Sequence, residues 1–100
     1  MNKIYSFLGL CARARMLVSG ETAVIGAVRD GKAHLVILAS DASEQTRKRF
    51  TDKCSYYGVR TVTFGTMEEI GNAIGKEHRS AVAVTDGGFA DEMIKKLETQ

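Results

Sequence analysis

Two short runs, Leu35-Val36-Ile37-Leu38-Ala39 and Ala81-Val82-Ala83-Val84, carry no polar side chain. A strand with one wet face alternates apolar and polar residues. A strand without alternation is covered on both faces. Two such strands in 100 residues call for a sheet with helices packed on either side.

The intervening segments supply those helices. Ile4, Phe7, Leu8 and Cys11 recur at i, i+3, i+4 and i+7, the spacing of a helix buried on one side. Met16-Leu17-Val18 reads as a short strand. Ser19-Gly20 opens a second helix, with Glu21 in its first turn to meet the helix dipole. Ala23, Val24, Ala27 and Val28 form its inner stripe, and Gly31 ends it. Asp41-Ala42-Ser43-Glu44 has the form of a capping box, as does Thr66-Met67-Glu68-Glu69. The helix after Asp41 places Phe50, Cys54 and Tyr57 inward and Glu44, Arg47, Lys48, Arg49, Asp52 and Lys53 outward, and stops at Gly58. Val59 to Phe64 is β-branched and alternating, hence a strand. Ile70, Ala73 and Ile74 line a fourth helix, and Asp86-Gly87-Gly88 turns into a last one with Phe89, Met93, Ile94 and Leu97 inward. Helix and strand alternate throughout, which predicts an α/β fold with a mainly parallel sheet between two helix layers.

At this length, residues 1–100 make a single domain. No run approaches the ~20 apolar residues of a membrane helix. The opening, with Lys3, Arg13 and Arg15 around a broken apolar pattern, does not read as a secretory leader. The expectation is a cytoplasmic protein with no membrane partner.

Enzyme signatures are missing from the sequence. It has no phosphate-binding glycine loop of either common type and no nucleophile elbow. Cys11 and Cys54 sit in apolar helical stripes, where a thiol acts as a small hydrophobe. With only His34 and His78 to join them, they do not suggest a zinc site. Gly87-Gly88 reads as relief of backbone strain in a turn rather than as an anion cradle. A phospho-receiver needs early acids, and none precedes residue 20. The expectation is a non-enzymatic protein with no cofactor and no metal.

Positive charge is the remaining signal. The net charge is only +2, so its distribution matters more than its size. Arg13 and Arg15 flank the first strand, Arg29 and Lys32 the end of the second helix, and Lys76, His78 and Arg79 share one loop. Two readings stand at this point. These are solvated faces, with Glu44 and Lys48 as an i, i+4 pair. Or basic loops beside exposed helix starts hold phosphates.

The stretch from Ser19-Gly20-Glu21-Thr22-Ala23 to Gly31, the strand leading into Ala39-Ser40-Asp41-Ala42, and Glu69-Ile70-Gly71-Asn72-Ala73-Ile74-Gly75-Lys76 together resemble the ribosomal L-seven-Ae/L-thirty-e family of kink-turn RNA-binding proteins. Phe7 to Arg15 and Asp52 to Tyr57 look closest to its bacterial YlxQ-like branch. The resemblance implies a three-layer α/β/α sandwich with a four-stranded, mostly parallel mixed sheet and about five helices. It implies that RNA is held at the start of the second helix and at the loop before the last strand. In the first place the family carries Gly-x-Asn-Glu-x-x-Lys. Here Gly20 matches, while Thr22, Ala23 and Gly26 stand at the Asn, Glu and Lys positions, and Glu21 and Thr22 are polar replacements. In the second place stands the loop Lys76-Glu77-His78-Arg79-Ser80, charged where many relatives are apolar. Arg13 and Arg15, just before the helix start, are candidates for phosphate contacts. Each lost contact to a base edge costs about 1–3 kcal/mol, so three absences weaken reading of a standard kink-turn. The expected partner is a structured RNA, a kink-turn or related internal loop, with rRNA and the ribosome or its proteins as the setting and a monomer as the binding form. The alternative is a protein-interaction module on the same fold.

Overall fold

A computed structural model describes residues 2–100. Five helices and four strands alternate: α1 (Lys3–Arg13), β1 (Leu17–Ser19), α2 (Glu21–Arg29), β2 (Leu35–Leu38), α3 (Glu44–Tyr57), β3 (Thr61–Thr63), α4 (Met67–Ala73), β4 (Ala81–Val84) and α5 (Gly87–Glu98). The sheet order is β1-β4-β2-β3.

The alternation within β2 and β4 builds the three layers. Leu35, Ile37, Val82 and Val84 face one way and pack with Ile4, Leu8 and Cys11 of α1, Ile70 of α4 and Met93 of α5. Val36, Leu38, Ala81 and Ala83 face the other way and pack with Val24 and Val28 of α2 and Phe50 and Cys54 of α3. Each of these side chains is essentially excluded from water. Fully burying one large aliphatic side chain contributes about 1.5–3 kcal/mol, so the doubly covered strands anchor the fold. No polar or charged residue is buried among those described, so the polar chemistry is all at or near the surface.

The expected parallel bias holds for strand direction but not for pairing. β2 and β3 are parallel, with Ile37 beside Val62. β4 runs against both β1 and β2, with Ala83 beside Val18 on one side and Val36 on the other. Three strands thus point one way, yet two of three pairings are antiparallel because the reversed strand lies inside the sheet. An apolar run carries no arrow, which is why the pattern missed this.

Several local expectations change. Ser43, not Asp41, caps α3 by accepting from the Thr46 amide at 3.1 Å. Asp41 accepts from the Met67 amide at 2.8 Å and so caps α4, 26 residues away. The Thr66–Glu69 capping box is present as read. Tyr57 and Ala23 are exposed rather than inward. Lys48 pairs with Asp52 at 3.5 Å and not with Glu44. Gly87 and Gly88 lie in the first turn of α5 with negative φ, so they relieve no strain. The third strand spans only Thr61–Thr63 of the predicted run.

Candidate nucleic-acid interface

β1 ends at Ser19, and one residue later α2 must begin at a sharp angle. Gly20 makes that corner at φ 92°, ψ 151°, a region essentially closed to side-chain-bearing residues. Its amide donates to the Ala81 carbonyl at 3.1 Å and its carbonyl accepts from Val24 at 3.0 Å. The corner is thus pinned to the first residue of β4. No side chain caps α2. Helix starts carry partial positive charge and free N–H groups, which favour an incoming anion. Thr22 and Ala23 stand exposed on this first turn, and Gly26 is half-buried one turn on.

Glu21 faces the protein rather than outward. Its carboxylate accepts from the Ser80 hydroxyl at 3.1 Å and the Thr46 hydroxyl at 3.2 Å, and pairs with Arg49 at 3.4 Å. One carboxylate therefore fixes the start of α2 to α3 and to the end of the loop before β4.

That loop, residues 75–80, is held from beneath. The Lys76 amide donates to the Gly71 carbonyl at 2.8 Å, and the Arg79 amide to the Met67 carbonyl at 3.1 Å. Gly71 has no room for a side chain, because a Cβ there would overlap the Glu77 carbonyl. Lys76, Glu77 and His78 are left exposed around a shallow recess of about 530 Å³, with Glu68, Asn72 and Arg79. Arg79 bends back instead, donating from Nε to Ser19 Oγ at 3.3 Å and from Nη1 to the His78 carbonyl at 3.0 Å. It lies beside the corner that Gly20 makes.

Arg13 joins this group from α1. It lines a recess of about 460 Å³ together with Gly9, Ser19, Gly75 and Lys76. The same arginine, with Gly9 and Ala73, borders a second recess of about 560 Å³ toward Tyr5, Asn72 and Glu69. There the Tyr5 hydroxyl donates to Glu69 at 2.8 Å. Burial, followed by the Glu69 bond and charge, pushes the Tyr5 hydroxyl up to about 12. The same hydrogen bond, with help from the Thr66 amide, holds Glu69 below the ordinary carboxylate range.

The structure thus gathers Gly20, Arg13 and Lys76 on one surface, with Thr22, Ala23, Glu77 and His78 on its rims. It does not bring Arg15 there. Arg15 precedes β1 and Gly20 follows it, so the two stand at opposite ends of that strand, and Arg15 lines none of the three recesses. It takes φ 62° at the end of α1, a left-handed position usually filled by glycine. Arg79 and Ser80 belong to the loop that the family resemblance singles out, whereas Ser19 joins the site only through its bond from Arg79.

The cysteines are free and buried on opposite sides of the sheet. Burial pushes the Cys11 thiol up to about 11 and raises Cys54 as well, which makes both poor nucleophiles. Among the described residues no group of His, Cys, Asp and Glu is arranged to hold a metal ion, and no helix is long and apolar enough to cross a membrane.

The model of the ribosomal protein L7Ae/L30e/S12e/Gadd45 family matches residues 2–94. The RNA-binding protein YlxQ of Bacillus subtilis (strain 168) is 48% identical over 94 residues, 94% of either chain. The RNA-binding protein YlxQ of Enterococcus faecium is 38% identical over 96 residues, covering 96% of this chain and 92% of the relative. A solved structure of a protein of unknown function from Bacillus halodurans superposes with a TM-score of 0.93 at 41% identity, covering 98% of this chain and 99% of that one. The 15.5kD RNA binding protein of Giardia lamblia superposes with a TM-score of 0.81 at 22% identity, covering 97% and 86%, a likeness of fold.

Proposed function

Because this chain belongs to the ribosomal protein L7Ae/L30e/S12e/Gadd45 family, we propose that it is a non-enzymatic RNA-binding protein that grips a structured internal loop at the start of α2. The observation that carries this reading is the uncapped corner at Gly20, pinned to β4 and bordered by Arg13, Lys76 and Arg79. The N–H groups in the first turn of α2, beyond that of Gly20, donate to a phosphate whatever the side chains are. The cations add attraction that is independent of base sequence. Two of the relatives above are named for RNA binding.

Base reading is the weaker part. Thr22 and Ala23 are exposed where the family's Asn and Glu would stand, and Gly26 offers no cation. The preferred RNA is therefore a kink-turn relative or another internal loop, held mainly by its backbone. An rRNA element within an assembling or assembled ribosome is the setting we propose, with the protein acting as a cytoplasmic monomer.

A titration against a standard kink-turn RNA and a duplex of equal length, at low and moderate salt, tests this. Salt-sensitive binding to both, with a modest preference for the kink-turn, supports the reading. Binding to neither RNA, or binding indifferent to salt, removes it.

A further inference from the structure

The C-terminal end of α3 exposes two adjacent aromatic rings that neither core uses. Tyr56 is 82% exposed and Tyr57 42%. Their ring centroids are 4.9 Å apart at 81°, edge to face. In such a pair the edge of one ring meets the face of the other, and the strongly exposed Tyr56 keeps open surface for a third ring. The inner face of α3 is carried by Phe50 and Cys54 instead.

The surroundings are basic. Arg49, Lys53 and Tyr56 recur at i, i+4 and i+7 and so form one stripe along α3. α3 holds four basic residues against two acidic ones. Asp52, one turn before Tyr56, pairs with Lys48 at 3.5 Å. The stripe also begins at the site already described, because Arg49 pairs with Glu21. From Arg49 to Tyr56 is about 10 Å along the helix axis.

Open aromatic faces at the end of a cationic track are what unpaired nucleotides stack on, with no requirement for a particular base. We propose that Tyr56 and Tyr57 form a stacking platform for a single-stranded extension of the RNA held at Gly20, guided there by Arg49 and Lys53. This rests on the reading that the start of α2 binds RNA. It adds a second contact that the structured loop alone would not use.

The test uses an internal-loop hairpin with and without a short uridine tail, bound by the full chain and by two double variants. Tyr56→Ala/Tyr57→Ala removes both rings from exposed positions, and Tyr56→Phe/Tyr57→Phe keeps them. The tail should tighten binding to the wild type by roughly 5- to 150-fold, the range of one stacked base. The alanine variant should lose that gain, the phenylalanine variant should keep it, and all three should bind the tailless hairpin equally. The chain has three tyrosines and no tryptophan, so quenching of tyrosine emission by the tail reports stacking directly. An equal gain from the tail in the alanine variant overturns the proposal. So does an alanine variant that changes only self-association in sedimentation, which would assign the rings to a second copy of the chain. Wild-type binding to neither RNA instead removes the reading on which the proposal stands.

Discussion

The Ser80 hydroxyl donates to the Glu21 carboxylate at 3.1 Å, which ties the last residue of one loop to the first residue of α2. Thr46 and Arg49 share that carboxylate, so an acid at the centre of a basic surface acts as its brace.

Glu21→Gln keeps an acceptor for the two hydroxyls and releases Arg49. RNA affinity at low salt should rise, and the slope of log affinity against log salt should steepen by about 0.7–0.9, one further phosphate contact. Glu21→Ala removes the acceptor and should cost about 1 kcal/mol of stability. Titrations at several salt concentrations and urea melts check the pair. Unchanged salt dependence in the glutamine variant would show that Arg49 faces no RNA.

Arg13 and Arg15 separate in the same assay. Arg13→Glu, beside the corner, should weaken RNA binding and flatten the salt slope by roughly one phosphate. Arg15→Gly should leave binding nearly unchanged. It should also raise stability by about 1 kcal/mol, because the left-handed backbone at Arg15 suits glycine. Equal losses of affinity from both would contradict the placement of Arg15 away from the site.

The two α4 and α2 glycines should respond oppositely to alanine. Gly26 has open space around a would-be Cβ, the nearest atom being Arg29 Nη2 at 3.8 Å. Gly26→Ala should therefore stabilise the helix by about 0.5–1 kcal/mol. Gly71→Ala drives a methyl into the Glu77 carbonyl and should cost about 1–3 kcal/mol while loosening the Lys76–Ser80 loop. Thermal melting separates them, and hydrogen exchange at residues 76–80 should rise only in the second.

The space at Gly26 also admits a lysine. Thr22→Asn, Ala23→Glu and Gly26→Lys together rebuild the family's reading set on an unchanged backbone. Each regained base contact is worth about 1–3 kcal/mol, so preference for a kink-turn over a duplex should grow at least tenfold. A triple variant with no gain would mean that the α2 start presents itself differently to RNA.

Alkali should destabilise the fold well before side-chain chemistry does. Cys11 is held up to about 11 by burial against an ordinary value of 9.0, and Tyr5 up to about 12, by burial and then Glu69, against 10.0. The unfolded chain loses these protons first. Stability should be full below pH 9 and fall as pH rises through 11 and 12. Urea midpoints across that span check it, and Cys11→Ala should flatten the part between 9 and 11.

The elements were legible because local signals fix them. Periodicity gave α1 and α2, continuous apolar runs gave β2 and β4, and Thr66 with Glu69 announced the start of α4. What failed to show were relationships between distant residues. Asp41 looked like a cap for the helix beside it and caps α4 instead. Tyr57 fits the spacing of an inward residue, yet it stands exposed at the last position of α3. Gly20 and Lys76 were found through the family motif. The bonds of Ser19 and Ser80 and the inward turn of Glu21 depend on which strands are neighbours, and no spacing along the chain encodes that.

β4 is the last strand to leave the ribosome and the one that lies between β1 and β2. A nascent chain that has not reached Val84 has nothing to join its first strand to the rest of the sheet. The contacts that set the Gly20 corner, from Ala81 and Ser80, arrive with that strand. Long-range pairing of this kind is made late, after its loop-closure entropy has been overcome. The corner proposed to hold RNA is therefore complete only in a chain that has already made β4.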